Sequence, residues 1–253
     1  MTRRASLSSA LIGTGMFFLL WQIGAWLVHR PILPPPLEVL PIFANLMAGE
    51  LGLHFAASAG RVLAAVAIAV ITAVPAGLAL GQLPLLNRIF APLIAILYPI
   101  PKIVLLPVIY VLMGITDVSK IFLIALIIFF QIMVVVRDEA VNLHPELILS
   151  VRSLGAGRRA LFRYVYFPAS LPAVLTALRI SIGTAVAVLF IAEQSLTNYG
   201  LGYYIVVETY QVLLYPQMYA GILGMSLLGV LLYFGVYTLE QRINRHLHDN
   251  GKP

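Results

Sequence analysis

The sequence predicts an all-α integral membrane protein of about six transmembrane helices, with both termini on the cytoplasmic side. Three observations predict it. Of 253 residues, 61% are hydrophobic and only 10% are charged, against about 25% charged in soluble domains. The apolar residues fall in runs long enough to cross a hydrocarbon layer, which takes roughly 20 helical residues. The bases sit at the ends of those runs, where membrane topology places them. That placement excludes nucleic acid as the partner for the net charge of +6. There is no cysteine, so disulfides, thiolate metal sites and cysteine nucleophiles are excluded.

The first element follows Thr2-Arg3-Arg4. From Ala5 to His29 there is no Asp, Glu, Lys or Arg. The run is longer than a signal-peptide core and no small-x-small cleavage site follows it, so it reads as a retained first span, 10–28. The Arg pair alone does not make a twin-arginine signal. Residues 32–50, ILPPPLEVLPIFANLMAGE, open with a stiff polyproline piece and continue as an amphipathic stretch suited to the interface. The second span is 57–80, with no charged residue between Arg61 and Arg88. Gly77 and Gly81 form a Gly-x3-Gly pair there. It reads either as a close-packing face or as chance in a Gly-rich chain. The third span, 89–113, contains Pro92, Pro99, Pro101 and Pro107 and is predicted to kink or break, since proline removes a helical N–H.

The fourth span is 118–136, the fifth 171–193 and the sixth 217–240, the last being free of charge between Glu208 and Glu240. Between the last two, residues 194–216 are rich in Tyr and Gly and read as a re-entrant or surface helix. Tyr199 to Tyr204 read as an interfacial belt rather than a ligand cage. With the N-terminus inside, the cytoplasmic side collects Arg3, Arg4, Arg88, Arg137, Arg152, Arg158, Arg159, Arg163, Arg242, Arg245 and Lys252. Arg30 stays outside, and Arg61 and Lys120 fall at borders. All of residues 1–253 form one membrane domain, whose largest cytoplasmic loop is 137–170.

That loop is the most informative stretch. Asn142 or His144 can cap a helix starting at Pro145-Glu146, because proline suits the first turn and Glu suits the positive end of the helix dipole. Leu147, Ile148, Val151 and Leu154 share one face at helical spacing. Gly155 can take the left-handed conformation that ends the helix, and Ala156-Gly157 continue the turn. Arg158 to Tyr166 can form a second short helix, with Leu161, Phe162 and Val165 apolar. Phe167-Pro168 and Leu171-Pro172 restart the chain towards the next span. The result is a two-helix bracket with an apolar face and a basic rim. It reads as a docking surface for a partner or as an amphipathic helix on anionic lipid.

Gly155, nine residues, Val165, one residue and Phe167-Pro168 resemble the Gly-x9-Ile-x-Leu-Pro half of the cytoplasmic motif of permease subunits of binding-protein-dependent ABC importers. ILPPPLEVL (32–40), residues 98–121, residues 151–183 and IAEQSLTNYGLGYYI (191–205) are similar to the nitrate/sulfonate/taurine/bicarbonate branch, over nearly the whole chain from about residue 30. The resemblance implies a type I, MetI-like fold and ATP-driven import through alternating access. It implies an external solute-binding protein (periplasmic or lipid-anchored), paired ABC ATPase subunits, a permease homodimer and a bacterial cytoplasmic membrane. The solute it implies is a small anion of the nitrate, sulfonate, taurine or bicarbonate kind, or a vitamin precursor. It places the ATPase contact on Glu146, Val151, Arg152, Leu154, Gly155, Ala156, Arg158, Arg159, Phe167 and Pro168. The family's Glu-Ala-Ala triplet falls here on Leu149, Ser150 and Val151, so its acidic contact is missing, with Glu146 one turn earlier.

Two charges are candidates for the translocation path. Lys102 lies within Pro99-Ile100-Pro101-Lys102 and either snorkels or faces the path and attracts an anion. Glu193 ends an apolar run and is either an interfacial carboxylate or a gating group. Arg179 reads as lying near the cytoplasmic interface. No phosphate loop of the Gly-x4-Gly-Lys-Ser/Thr type is present, which assigns ATP hydrolysis to a separate subunit and leaves the chain no enzyme by its own chemistry. Nothing calls for a cofactor or metal, and His246 and His248 read as polar tail. An ATP-independent secondary transporter is the alternative. It predicts two related halves and paired charges within the membrane, and the sequence displays neither. A third reading is a membrane assembly protein that transports nothing, against which the broken third span argues.

Overall fold

The computed structural model describes residues 7–194 and 197–243, and the side chains of all of these except 7–11 and 158. Arg3, Arg4, Arg245, His246, His248 and Lys252, and the side chain of Arg158, lie outside the described residues. Among the described residues every regular element is helical. Four helices are long and apolar enough to cross a membrane: Glu50–Gln82, Asp117–Val141, Arg159–Glu193 and Tyr215–Ile243. A fifth crossing would join Pro84–Leu97 to Lys102–Met113, which are bent by 82° at their break. The stretches Ile12–Val28 and Pro36–Met47 are apolar but shorter.

The chain divides into two compact units, Met1–Ser58 with Glu193–Leu227, and Ala59–Ala192 with Leu228–Pro253. The first holds α1 (Leu7–Val28), α2 (Pro36–Met47) and the start of α3 (Glu50–Gln82). Pro35 and Pro36 start α2, with Pro36 and Val39 buried. Trp21 of α1 donates its indole N–H to Pro34 O at 3.0 Å and stacks on Tyr219 with ring centroids 5.4 Å apart. That pairing satisfies the one polar group of a large apolar side chain.

The second unit is built on α6 (Asp117–Val141). Ile124, Ile128, Ile132 and Val136 recur every four residues and are fully buried, as one face of a helix requires. The start of α6 is fixed by a capping box. Thr116 Oγ1 accepts from Ser119 N, and Thr116 N donates to Ser119 Oγ, satisfying two otherwise orphaned donors. On α3, Ala65, Ala69 and Ala73 are fully buried, and Gly77 and Gly81 extend the same four-residue spacing. A Cβ on Gly77 would lie 2.7 Å from Met133 O, and one on Gly81 would lie 2.5 Å from Ala140 Cβ. The Gly pair is therefore a true close approach of α3 to α6, the small-residue packing by which membrane helices gain contact.

The Pro-rich third span breaks as its prolines predict. α4 (Pro84–Leu97) stops, a tight turn covers Lys102–Leu105, and α5 (Leu106–Met113) resumes. After α6 come α7 (Pro145–Ser153), α8 (Arg158–Leu161), a wide π-helical turn at Phe162–Tyr166 and α9 (Phe167–Glu193). In the first unit α10 (Leu201–Tyr203) runs on as a second wide turn at Tyr204–Tyr210, and α11 (Tyr215–Ile243) follows.

Candidate functional site

The bracket is assembled locally. Pro145 opens α7, Glu146 sits in its first turn and Arg152 in its last, matching the helix dipole at both ends. Gly155 has φ +82°, a conformation glycine adopts without a Cβ penalty, and its N–H donates to Arg152 O at 2.9 Å. Leu161 and Val165 point inward at 3% and 6% exposure. No residue of α7 is buried. Glu146, Arg152, Leu154, Gly155, Arg159, Phe167 and Pro168 are exposed, and Val151 and Ala156 are half-buried. Leu154 is 86% exposed and Leu149 62%; with Leu147 and Phe162 they form an apolar rim on a polar excursion. Leu149 thus presents a hydrocarbon side chain where the resemblance implies an acid.

The two candidate path charges do different work from what isolated charges suggest. Lys102 Nζ donates to Leu97 O at 3.0 Å, Tyr98 O at 3.1 Å and Ile100 O at 3.3 Å. An ammonium has three donors, and all three go to carbonyls at the break after α4, where Leu97 O also accepts from Ile100 N at 3.3 Å. The Phe130 ring lies 4.4 Å from the same nitrogen, where a cation is attracted to the ring face.

Glu193 is fully buried. Ser58 Oγ–H donates to its two oxygens, at 2.9 and 2.8 Å, and Gly202 N donates at 3.0 Å. Ser58 Oγ in turn accepts from Leu201 N at 2.8 Å, and His54 Nδ1 accepts from Gly200 N at 3.1 Å. Three successive backbone N–H groups, Gly200 to Gly202, are thus gripped by three side chains. Gly200 holds φ +124°, open to glycine alone. Sequence reasoning missed His54 and Ser58. Their signal was available: Glu50, His54 and Ser58 recur every four residues and so line one helix face.

The tyrosines of this loop are packed on His54. The imidazole lies 4.6 Å from the Tyr199 ring, 6.2 Å from Tyr203 and 5.4 Å from Tyr204. Glu50, His54 and Glu208 bring ligand-type atoms within 4.8 Å of one another. The histidine does not fit a metal. Because Nδ1 accepts the Gly200 N–H, the neutral ring carries its proton on Nε2, which faces Glu208 Oε2 at 3.3 Å. Burial pushes the Glu208 carboxyl above its ordinary range and Glu50 adds to this, while His54 opposes it. Tyr204 is pushed up to about 12, first by burial and then by Glu50 and Glu208.

Charge pairs absent from the linear reading also exist in the second unit. Arg61 of α3 meets Asp117 of α6 at 2.7 Å, with Lys120 3.9 Å from the same oxygen. Arg179 of α9 meets Glu240 of α11 at 3.0 Å, and Thr176 donates to the other Glu240 oxygen at 2.9 Å. The ring of Tyr233 lies 5.8 Å from the Arg179 guanidinium.

These elements define a multi-pass helical membrane protein, with four long apolar helices, a bent pair of shorter ones and an exposed two-helix bracket. The chain belongs to the binding-protein-dependent transport system inner membrane component family, whose pattern matches residues 65–245. It is 31% identical over 230 residues to the taurine transport system permease protein TauC of Escherichia coli (strain K12), covering 88% of this chain and 83% of that protein. It is 27% identical over 228 residues to the formylaminopyrimidine transport permease protein ThiX of Halalkalibacterium halodurans, covering 89% and 90%. Its fold is similar to a chain of the inward-facing MetNI methionine ABC transporter, with TM-score 0.61 and 18% identity, covering 76% of this chain and 95% of that one. The chain is a permease subunit of the ABC importer class, and the ATP-independent alternative finds no support among these relatives.

Proposed function

We propose that the bracket, residues 145–168, docks in a cleft of a separate ABC ATPase subunit and passes the closure of the ATPase pair to α9. Two copies of the chain form the path, each with six spans and both termini inside, in the bacterial cytoplasmic membrane. An external solute-binding protein delivers the solute. Lys102 and Glu193 shape the path by holding its broken backbone, not by binding the solute. The relatives' names, taurine and formylaminopyrimidine, support a small sulfonate-like anion or a vitamin precursor as cargo.

The observation that carries this reading is the exposed apolar rim of Leu147, Leu149 and Leu154 beside the left-handed Gly155. Apolar side chains gathered on a polar excursion call for a protein partner. A Cβ on Gly155 meets nothing within 4 Å, so a substitution acts through backbone strain alone. Gly155→Val should leave membrane insertion and solubility unchanged. It should lower solute uptake and recovery of the co-purified ATPase at least about tenfold, because a β-branched residue resists positive φ. Gly155→Ala should fall between. Normal uptake by the Val variant, with no ATPase recovered from either protein, would overturn the docking.

A further inference from the structure

We propose that His54 is a proton-operated latch: its neutral ring holds the Gly200–Tyr210 segment closed, and a second proton on the ring releases it. The argument rests on which ring nitrogen has a lone pair. Nδ1 accepts the Gly200 N–H at 3.1 Å. A doubly protonated imidazole has N–H on both nitrogens and no acceptor. Gly200 N–H would then face another N–H, in a buried place, and lose its partner. Gly200 itself cannot rotate away cheaply, since its neighbours Leu201 and Gly202 are gripped by Ser58 and Glu193. The strain therefore loads the whole segment.

Acidic groups face the ring from two elements. Glu208 faces Nε2 at 3.3 Å, and Glu50 lies one turn away on α3, within the same 4.8 Å cluster. Two carboxylates thus stand beside one imidazole. The phenols of Tyr199, Tyr203 and Tyr204 also lie against the ring, and Glu193 joins the same grip through Ser58. Tyr204 stays neutral throughout the range in which histidine titrates. Release thus turns on one hydrogen bond, from Gly200 N–H to His54 Nδ1. The latch goes beyond the transport reading and stands without it, because its readout needs neither ATPase nor solute.

The absence of cysteine makes the test direct. Thr209 is 2% exposed and its neighbour Tyr210 is 50% exposed. Single Thr209→Cys and Tyr210→Cys variants of the full chain, in detergent, are labelled with a polar maleimide between about pH 8 and pH 5. The ratio of the two rates cancels the reagent's own pH dependence. The ratio should rise roughly tenfold on acidification, the effect of leaving a buried donor unpaired. Adding His54→Gln, which offers an amide oxygen to Gly200 N–H but does not titrate, should hold the ratio low at every pH. A flat ratio in the chain with His54 intact overturns the latch, whether or not the Gln variant folds. An unchanged rise in a folded Gln variant overturns it too. So does a ratio that follows added zinc or chelator instead of pH.

Discussion

Glu193→Ala should be the most damaging single substitution in the first unit, at a cost of about 3–5 kcal/mol. The carboxylate takes hydrogen bonds from Ser58 Oγ and Gly202 N, and bonds to a charged acceptor are worth about 1.5–3 kcal/mol each. Alanine removes the acceptor and leaves the buried Gly202 N–H with nothing to bond. Ser58 Oγ also loses the group that orients it to accept from Leu201 N. The damage therefore spreads from one carboxylate to the segment it anchors. Glu193→Gln keeps one acceptor oxygen but turns an NH2 group towards the other donor, so it should lose about half as much. Thermal melting of the detergent-solubilised chain ranks the three proteins. An alanine variant that melts with the parent would remove Glu193 from any anchoring task.

Gly81→Ala should lower stability by about 3 kcal/mol, the upper end of what overpacking costs. The added methyl would meet Arg137 O at 2.8 Å as well as Ala140 Cβ at 2.5 Å. A carbonyl on a helix cannot swing aside as a flexible side chain does, so α3 and α6 must separate. Gly77→Ala meets Met133 O and Val136 Cβ at 2.7 and 2.8 Å and should cost a similar amount. Gly183 and Gly60 provide the contrast. A Cβ on either meets nothing within 4 Å, and alanine there should be neutral or stabilise by about 0.5–1 kcal/mol through its helix propensity. Comparing the four variants by melting separates close packing from propensity. Equal effects at all four positions would remove the packing claim.

What the sequence revealed depended on how local the cause was. The bracket was legible because Pro145, Gly155 and Phe167-Pro168 act on their own backbone. The broken third span was legible because proline does the same. Lys102 and Glu193 stood out, since a charge in an apolar run is costly and therefore has a purpose. Their tasks were not legible, because those tasks depend on which backbone groups the fold leaves unpaired. The grip on Gly200 and Leu201 joins residues 146 and 143 positions apart, beyond any periodicity argument. The pairing of Arg61 with Asp117 and of Arg179 with Glu240 was hidden for the same reason. The packing of the tyrosines was not legible, because composition records aromatic content but not that a buried histidine lies among them. The Gly pair stayed ambiguous until α6 supplied the backbone that it meets.

The wide turn at Phe162–Tyr166 has a consequence of its own. Phe167 N donates to Phe162 O, five residues back, so this turn holds one residue more than an ordinary helical turn would. A turn closed over five residues covers roughly the azimuth that four α-helical residues cover, so the extra residue is absorbed where it stands. The direction in which residues 145–161 face is thus a phase that this widening preserves. A further residue added here in ordinary α-helical geometry would shift that phase by about 100°.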